Sequence, residues 1–432
     1  MTVTVVVGAQ WGDEGKGRIV DYLAARVNWV VRFQGGNNAG HTVVNDLGEF
    51  KLHLVPSGIL TPGVRCLLGA GTVVDADGLL SELDELGERG VDAAGLVIDR
   101  RAHLVLPYHR MLDGAREGGA ALGTTKRGIG PCYGDKAAYR GIRMGDLLEP
   151  EHLAQRLRDV LPLKNHELAF YGLPPLGFES LLKQCADWRA RLGERIVDGA
   201  ALLRRAVGSG ENVLLEGQLG VMRDLDWGIY PYTTASSPSA GGACAGAGIP
   251  PGKIDRVVGV VKAYSTSVGG GPFPTELQDE DGAKLREVGR EYGASTGRPR
   301  RCGWYDAVAV RYAARVNGLD AVALTKMDVL DGLPHIDVCT AYRCGDRTLT
   351  EFPGDLRHLA ACRPVYERLP GWSRPTHGVR TYDELPPEAK AYIARLEELT
   401  GVPAAIISTG SDRDETIFRG DSVAAEWFGP KP

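Results

Sequence analysis

A chain of 432 residues, 43% hydrophobic and 24% charged, has the make-up of an ordinary globular protein with room for a large core. A net charge of −5 gives no basic footprint for nucleic acid or an anionic membrane, and no apolar run approaches the ~20 residues of a membrane span. Eight cysteines occur without a C-x-x-C pair, so neither a zinc site nor a redox pair is expected, and free thiols, several of them buried, are.

The chain opens MTVTVVVG, a strand without the basic n-region and cleavage site of a signal peptide, so a cytoplasmic location is expected. Strand-like apolar runs follow at 3–8, 27–33, 66–74, 213–217, 257–263, 321–325 and 404–408. Helical patterns lie between several of them, at 78–89, 177–206, 307–317 and 387–399. Such alternation predicts an α/β fold with a central, mostly parallel sheet flanked by helices. One large domain over residues 1–432 is expected, with a helical insertion at about 149–206 packed against the sheet. His53, inside the apolar run KLHLVPSGIL, reads as a structural residue.

The first run feeds VVVGAQWGDEGKGRIVDYL, residues 5–23. Strand, glycine turn and helix start in that order suit backbone N–H groups cradling phosphate at a helix N-terminus. The standard P-loop spacing nevertheless fails, because Gln10 and Gly17 stand where a glycine and a Mg²⁺-binding hydroxyl belong. An acid, Asp13, sits inside the turn instead.

Four further segments carry chemistry. Gln34 to Thr42, QGGNNAGHT, follows the second strand with amides and one imidazole among small residues. Gly123 to Gly130, GTTKRGIG, offers hydroxyls and amides suited to an anion. Ser295 to Arg301, STGRPRR, places three guanidiniums in four positions, suited to bidentate binding of carboxylate or phosphate. Thr325-Lys326-Met327-Asp328, ending an apolar strand, resembles the guanine-reading N-K-x-D element of GTPases. Ser236 to Gly252, SSPSAGGACAGAGIPPG, is expected to be a functional loop rather than a linker.

Together these segments resemble the adenylosuccinate synthetase family, GTP-dependent ligases of purine biosynthesis. Further matches are Leu215-Glu216-Gly217, Tyr230-Pro231-Tyr232, Lys262 to Thr266, Gly271 to Thr275 and Ser408-Thr409-Gly410, so the likeness spans residues 2 to 425. The resemblance implies that aspartate is joined to the 6-position of IMP after GTP phosphorylates the 6-oxo group. Asp13 would take the N1 proton and, with the Gly40 carbonyl, bind Mg²⁺, which accounts for the missing P-loop hydroxyl. Lys16 and His41 would stabilise the transferring phosphoryl group. A homodimer with a shared active site is also implied.

The remaining roles follow from the same resemblance. GTP would meet Gly12, Glu14, Gly15, Lys16, Gly17, Arg18, Gly40, His41, Thr42 and Arg300, with guanine read by Lys326, Met327 and Asp328 beside Ser408, Thr409 and Gly410. The acceptor nucleotide would meet Asp13, Gln34, Asn38, Thr125, Arg140, Leu219, Thr234 and Arg298. Aspartate would meet Ser295, Thr296, Gly297 and Arg298.

Three departures fall on the acceptor side. The family's E-G-A-Q-G is here Glu216-Gly217-Gln218-Leu219-Gly220, its phosphate-binding Arg is Tyr139, followed by Arg140, and the Arg of S-T-R-V-G is Ser267. Losing one charge-assisted phosphate contact removes ~1.5–3 kcal/mol, so a paralogue acting on a purine analogue is the alternative to the ordinary enzyme. A regulatory GTPase would have no use for the Arg298–Arg301 loop, and a dead binding protein none for intact Asp13, Lys16 and His41.

Overall fold

The computed structural model describes residues 2–45, 47–120, 123–293, 297–420 and 422–423. The apolar runs pair into a ten-stranded sheet. In chain order its strands are β1 (Val3–Gly8), β2 (Trp29–Arg32), β3 (Arg65–Leu68), β4 (Leu96–Asp99), β5 (Ile196–Val197), β6 (Val213–Gly220), β7 (Arg256–Lys262), β8 (Ala321–Thr325), β9 (Ala404–Ser408) and β10 (Thr416–Phe418). Their spatial order is β10-β9-β8-β7-β1-β6-β2-β3-β4-β5. Among the described residues of this sheet, only the β9–β10 pair is antiparallel.

Alternate residues of the central strands feed two cores. Val6, Val30 and Leu214 pack with Ile19 and Leu23 on one face, while Val5, Val31 and Leu215 pack with Leu203 and Ala243 on the other. A strand covered on both faces reads as an unbroken apolar run, which is why the sequence marks these strands so clearly. The chain runs from β1 through helix α1 (Lys16–Ala24) to β2, and β6 later inserts between them. In open parallel sheets such a reversal leaves a crevice at the carboxyl ends of the strands, where ligands bind.

Four local expectations need correction. The run 27–33 is strand only at Trp29–Arg32. The run 66–74 divides at a turn closed by Thr72 N–H donating to the Gly69 carbonyl, and Val73–Val74 pairs with His103–Leu104 instead. The pattern 177–206 is two helices, Phe178–Leu192 and Gly199–Gly208, separated by the edge strand β5 and restarted by Asp198 accepting from Ala201 N–H. Ser236 to Gly252 is not simply a loop, since Ala240–Ala247 is a helix. Its small residues serve close packing: a Cβ on Gly246 would lie 1.9 Å from the Phe33 carbonyl oxygen.

An antiparallel sheet of His335–Cys344 with Arg363–Pro370 and Arg347–Leu349 also went unread, because its strands are short of continuous apolar residues and half exposed. All eight cysteines are free, six of them buried. His53 Nδ1 donates to the Ala39 carbonyl, 2.6 Å away, as a structural residue does. Among the described residues, no helix is long and apolar enough to cross a membrane.

Candidate active site

The phosphate-loop candidate leaves β1 at Gly8 and reaches α1 through positive φ at Gly12 (103°), Asp13 (59°) and Gly15 (92°). Gly15 caps α1 with no side-chain hydrogen bond, so the first amides of the helix keep no side-chain acceptor. Glu14 turns inward. Its fully buried carboxylate accepts from Gln10 N–H (3.1 Å), Gly12 N–H (2.8 Å) and Lys16 Nζ (2.6 Å). Its carbonyl accepts from the Thr325 hydroxyl at 2.6 Å, which ties the loop to the end of β8. Gly17 is set by packing, because a Cβ there would stand 2.6 Å from that of His41. The side chain of an ordinary P-loop hydroxyl residue is therefore excluded by His41.

His41 opens the hairpin His41–Asn45/Gly48–Leu52, and its Nδ1 lies 2.6 Å from Glu216 Oε1 in β6. Ser57 adds its N–H to Oε2 (2.9 Å) and its hydroxyl to Oε1 (2.7 Å). Burial alone would raise the Glu216 carboxyl, but these donors and the Arg32 charge hold it below the usual carboxylate range. An ionised Glu216 makes Nδ1 the donor and leaves Nε2 as the nitrogen for a ligand. Burial lowers the His41 pKa, against the pull of Glu216 and with help from Arg32 and Lys16.

A chain of charges leads away from Asp13. Arg300 Nε is 3.1 Å from Asp13 Oδ2, and Nη1 is 2.6 Å from Glu291 Oε2. Lys262 Nζ, at the end of β7, lies 2.8 Å from both oxygens of Glu291. Burial would raise Glu291, yet Lys262, Arg300 and Lys326 hold it well below the carboxylate range. Arg301 is held by Glu276 Oε1 (2.8 Å) and the Gly271 carbonyl (2.9 Å), so Arg301, like Arg300, has a carboxylate partner. Arg298 accepts from Gly293 N–H at its carbonyl, Gly297 takes φ 65°, and Ser295 and Thr296 lie outside the described residues.

At the end of β8, Lys326 has φ 64° and donates Nζ to the Gly289 carbonyl at 2.8 Å, and Met327 is buried. Asp328 Oδ1 is buried without a hydrogen-bond partner, and burial raises this carboxyl. A buried acceptor of that kind fits a ligand carrying N–H donors. Beside it, at the end of β9, Ser408 Oγ donates to the Gly410 carbonyl (3.1 Å) and Thr409 Oγ1 to the Val379 carbonyl (2.7 Å). Arg18 joins α1 to this segment through the Ser411 (3.2 Å) and Glu415 (2.9 Å) carbonyls. Gly40 is half-buried and Thr42 exposed, next to His41.

On the acceptor side, Gln34 Nε2 donates to the Gln218 carbonyl (2.6 Å) and Gln218 Nε2 to Asn38 Oδ1 (2.6 Å). Gln218 Oε1 accepts from Arg32 Nη2 at 2.7 Å, while Leu219 takes the left-handed conformation at φ 64°. The moved glutamine is thus locked to Asn38. Thr234 N–H donates to the Arg223 carbonyl at 2.8 Å, and Thr125 is half-buried. Tyr139 (90% exposed) and Arg140 stand on the surface after the helix Ile129–Ala137. Glu216, Glu291, Lys262 and Arg223 lie outside the sequence motifs' expected site residues; a charge inside (Glu216) or at the end (Lys262) of an otherwise apolar strand is the available signal for two of them.

The family profile described as adenylosuccinate synthetase matches residues 5–417. The adenylosuccinate synthetase of Moorella thermoacetica is 54% identical over 421 residues, covering 96% of this chain and 99% of the relative. That of Synechococcus sp. is 52% identical over 435 residues, covering 100% and 96%. The solved structure of fully ligated adenylosuccinate synthetase from Plasmodium falciparum superposes with a TM-score of 0.91 at 37% identity, covering 97% of this chain and 100% of that one. A cyanophage S-2L succinoaminodeoxyadenylate synthetase shares the fold at a TM-score of 0.62 and 20% identity.

Proposed function

The chain belongs to the adenylosuccinate synthetase family and joins L-aspartate to IMP at the expense of GTP, and we propose that Asp13, Lys16 and His41 carry that reaction. The observation that supports this assignment is that Asp13 follows β1, His41 bonds Glu216 of the adjacent β6, and Asp328, its Oδ1 unpartnered, follows β8, two places from β1 in the same sheet. The alternative acceptor suggested by Tyr139, Leu219 and Ser267 is not favoured, because full-length relatives sharing about half their residues carry the same name.

Asp13 takes the N1 proton of IMP, and O6 attacks the γ-phosphorus of GTP as GDP leaves. The aspartate amine then adds to C6, and phosphate departs with the oxygen that was O6. Lys16, released from Glu14 by the incoming phosphates, neutralises charge on them, and His41 donates from Nε2 to the transferring group. Asp328 accepts the guanine N–H groups. Arg298 and the 295–297 segment receive aspartate, and Arg300 turns toward GTP.

Magnesium fits the donors present: the Asp13 carboxylate and Gly40 carbonyl are hard oxygens. No group of three or more His, Cys, Asp or Glu able to hold a metal occurs among the described residues, so the other ligands would be phosphate oxygens and water. When bound, the ion spreads the charge of the phosphates. A single domain is supported by β1 and β9, from opposite ends of the chain, sharing one sheet. A homodimer that presents Tyr139 and Arg140 to the partner subunit, in the cytoplasm, completes the reading.

The test is product analysis by mass with GTP, Mg²⁺, aspartate and a panel of 6-oxopurine nucleotides and nucleosides. IMP is expected to yield adenylosuccinate, GDP and phosphate one for one. GTP turnover without an aspartate-linked product, or preference for another purine, would reject the assignment.

A pH prediction follows from Glu216. With Nδ1 committed to the carboxylate, His41 can donate from Nε2 only when doubly protonated. Burial lowers the His41 pKa in the free protein and the phosphate charges of bound GTP raise it again, so ligation should fall as pH rises through the His41 pKa of the complex. In Glu216→Gln the amide can donate to Nδ1, so a neutral tautomer carries the Nε2 proton. That variant should lose on the order of 10² in kcat, the scale of misplacing a catalytic acid, and its alkaline limb should flatten. An unchanged alkaline limb would remove Glu216 from this role.

A further inference from the structure

Arg223 has no part in the chemistry so far drawn. It ends the short 3₁₀ turn Val221–Arg223 after β6 and is 8% exposed. Its guanidinium makes four hydrogen bonds, all to neutral acceptors. Nη1 donates to the Tyr232 carbonyl (2.6 Å) and the Gly270 carbonyl (3.2 Å), and Nη2 to Ser267 Oγ (2.7 Å) and the Val268 carbonyl (2.7 Å). Burial and the nearby Arg301 charge bring its pKa down to about 10, with Asp13 pulling the other way. A buried cation without a bonded carboxylate is an expensive way to fill space. Its planar fork of donors, however, is suited to tying several chain segments together.

The segments it ties are those of the acceptor side. The Arg223 carbonyl accepts from Thr234 N–H at 2.8 Å, so the same residue holds 232–234 through both backbone and side chain. The 267–270 segment is its second load. Gly269 in turn lies against Gly123, where a Cβ would come within 3.1 Å of the Gly269 Cα, so the strip leading to Thr125 rests on the clamped segment. The hydroxyl that Arg223 grips belongs to Ser267, the position where the family commonly carries arginine. The guanidinium therefore reaches the Ser267 position from a different chain segment, the turn after β6.

We propose that Arg223 is a positioning residue for the acceptor nucleotide, and that Arg223 and Ser267 are one exchangeable unit in which the cation has moved to another chain segment. The proposal rests on IMP being the acceptor and on Thr125 and Thr234 meeting it. Breaking the clamp should loosen those contacts and leave the GTP end, at Lys326, Asp328 and Ser408, as it is.

The experiment measures KM for IMP and for GTP in the full-length protein and in Arg223→Leu, Ser267→Arg, the double replacement and Arg223→Lys. Arg223→Leu should raise KM for IMP about tenfold, as expected for lost charge-assisted hydrogen bonds, with KM for GTP nearly unchanged. Ser267→Arg alone, which sets a second guanidinium against the first, should do similar harm. The double replacement should recover most of the loss, a coupling that independent sites do not show. Arg223→Lys keeps the charge without the fork and should stay impaired, and it also serves if the leucine variant does not fold. Equal rises in both KM values, no rise, or a double replacement no better than the worse single one would overturn the proposal. If the unaltered protein fails to use IMP, it is the acceptor assignment that falls.

Discussion

Replacing Asp13 by Asn should stop ligation and leave GTP bound. Asparagine matches aspartate in size and tolerates the left-handed backbone that Asp13 adopts at φ 59°, so the turn should keep its shape. Under the proposed assignment, what is lost is the proton acceptor at the purine N1 and the carboxylate offered to Mg²⁺. Removing a general base lowers the rate ~10²–10⁴-fold, and the lost metal ligand adds to that. The loop amides, the α1 N-terminus and Lys16 remain, so GTP affinity should move only slightly. Single-turnover formation of adenylosuccinate, beside equilibrium binding of GTP, separates the two effects. Turnover near the unaltered rate would take the base from Asp13.

Asp328→Asn should cut kcat/KM for GTP by ~10²–10⁴, the equivalent of two charge-assisted hydrogen bonds at ~1.5–3 kcal/mol each. The unaltered protein should reject ATP by a similar factor, since the adenine edge cannot offer that carboxylate the same pair of donors. Stability distinguishes this from damage to the fold. Asp328 Oδ1 is buried and unpartnered in the free protein, and burial already disfavours its charged form. The amide variant should therefore melt no lower than the parent. Equal kcat/KM for ATP and GTP in the unaltered protein would remove guanine reading from 326–328.

The parallel half of the fold was legible because its strands are covered on both faces. The runs at 3–8, 321–325 and 404–408 coincide with β1, β8 and β9. The sheet built on His335–Cys344 was not, since its half-exposed residues blur the apolar pattern. Nor was β5, whose two residues are strand only because β4 lies beside them.

The site divides along a similar line. Asp13, Lys16 and His41 stand in local glycine-rich patterns, so chemistry and spacing reveal them together. Their supports come from distant parts of the chain. Glu216 meets His41 across 175 positions, and Lys262 meets Glu291 across 29. The acceptor departures looked like losses for the same reason. Gln218 bonds Asn38 across 180 positions and Arg223 bonds Ser267 across 44, links that only the folded chain displays.

The decisive measurement uses IMP labelled with ¹⁸O at the 6-oxo position, together with GTP, Mg²⁺ and aspartate. If O6 attacks the γ-phosphorus beside Asp13, the label must appear in inorganic phosphate, in step with GDP and unlabelled adenylosuccinate. Label remaining in the purine product, or unlabelled phosphate released while GTP is consumed, would contradict phosphorylation of O6.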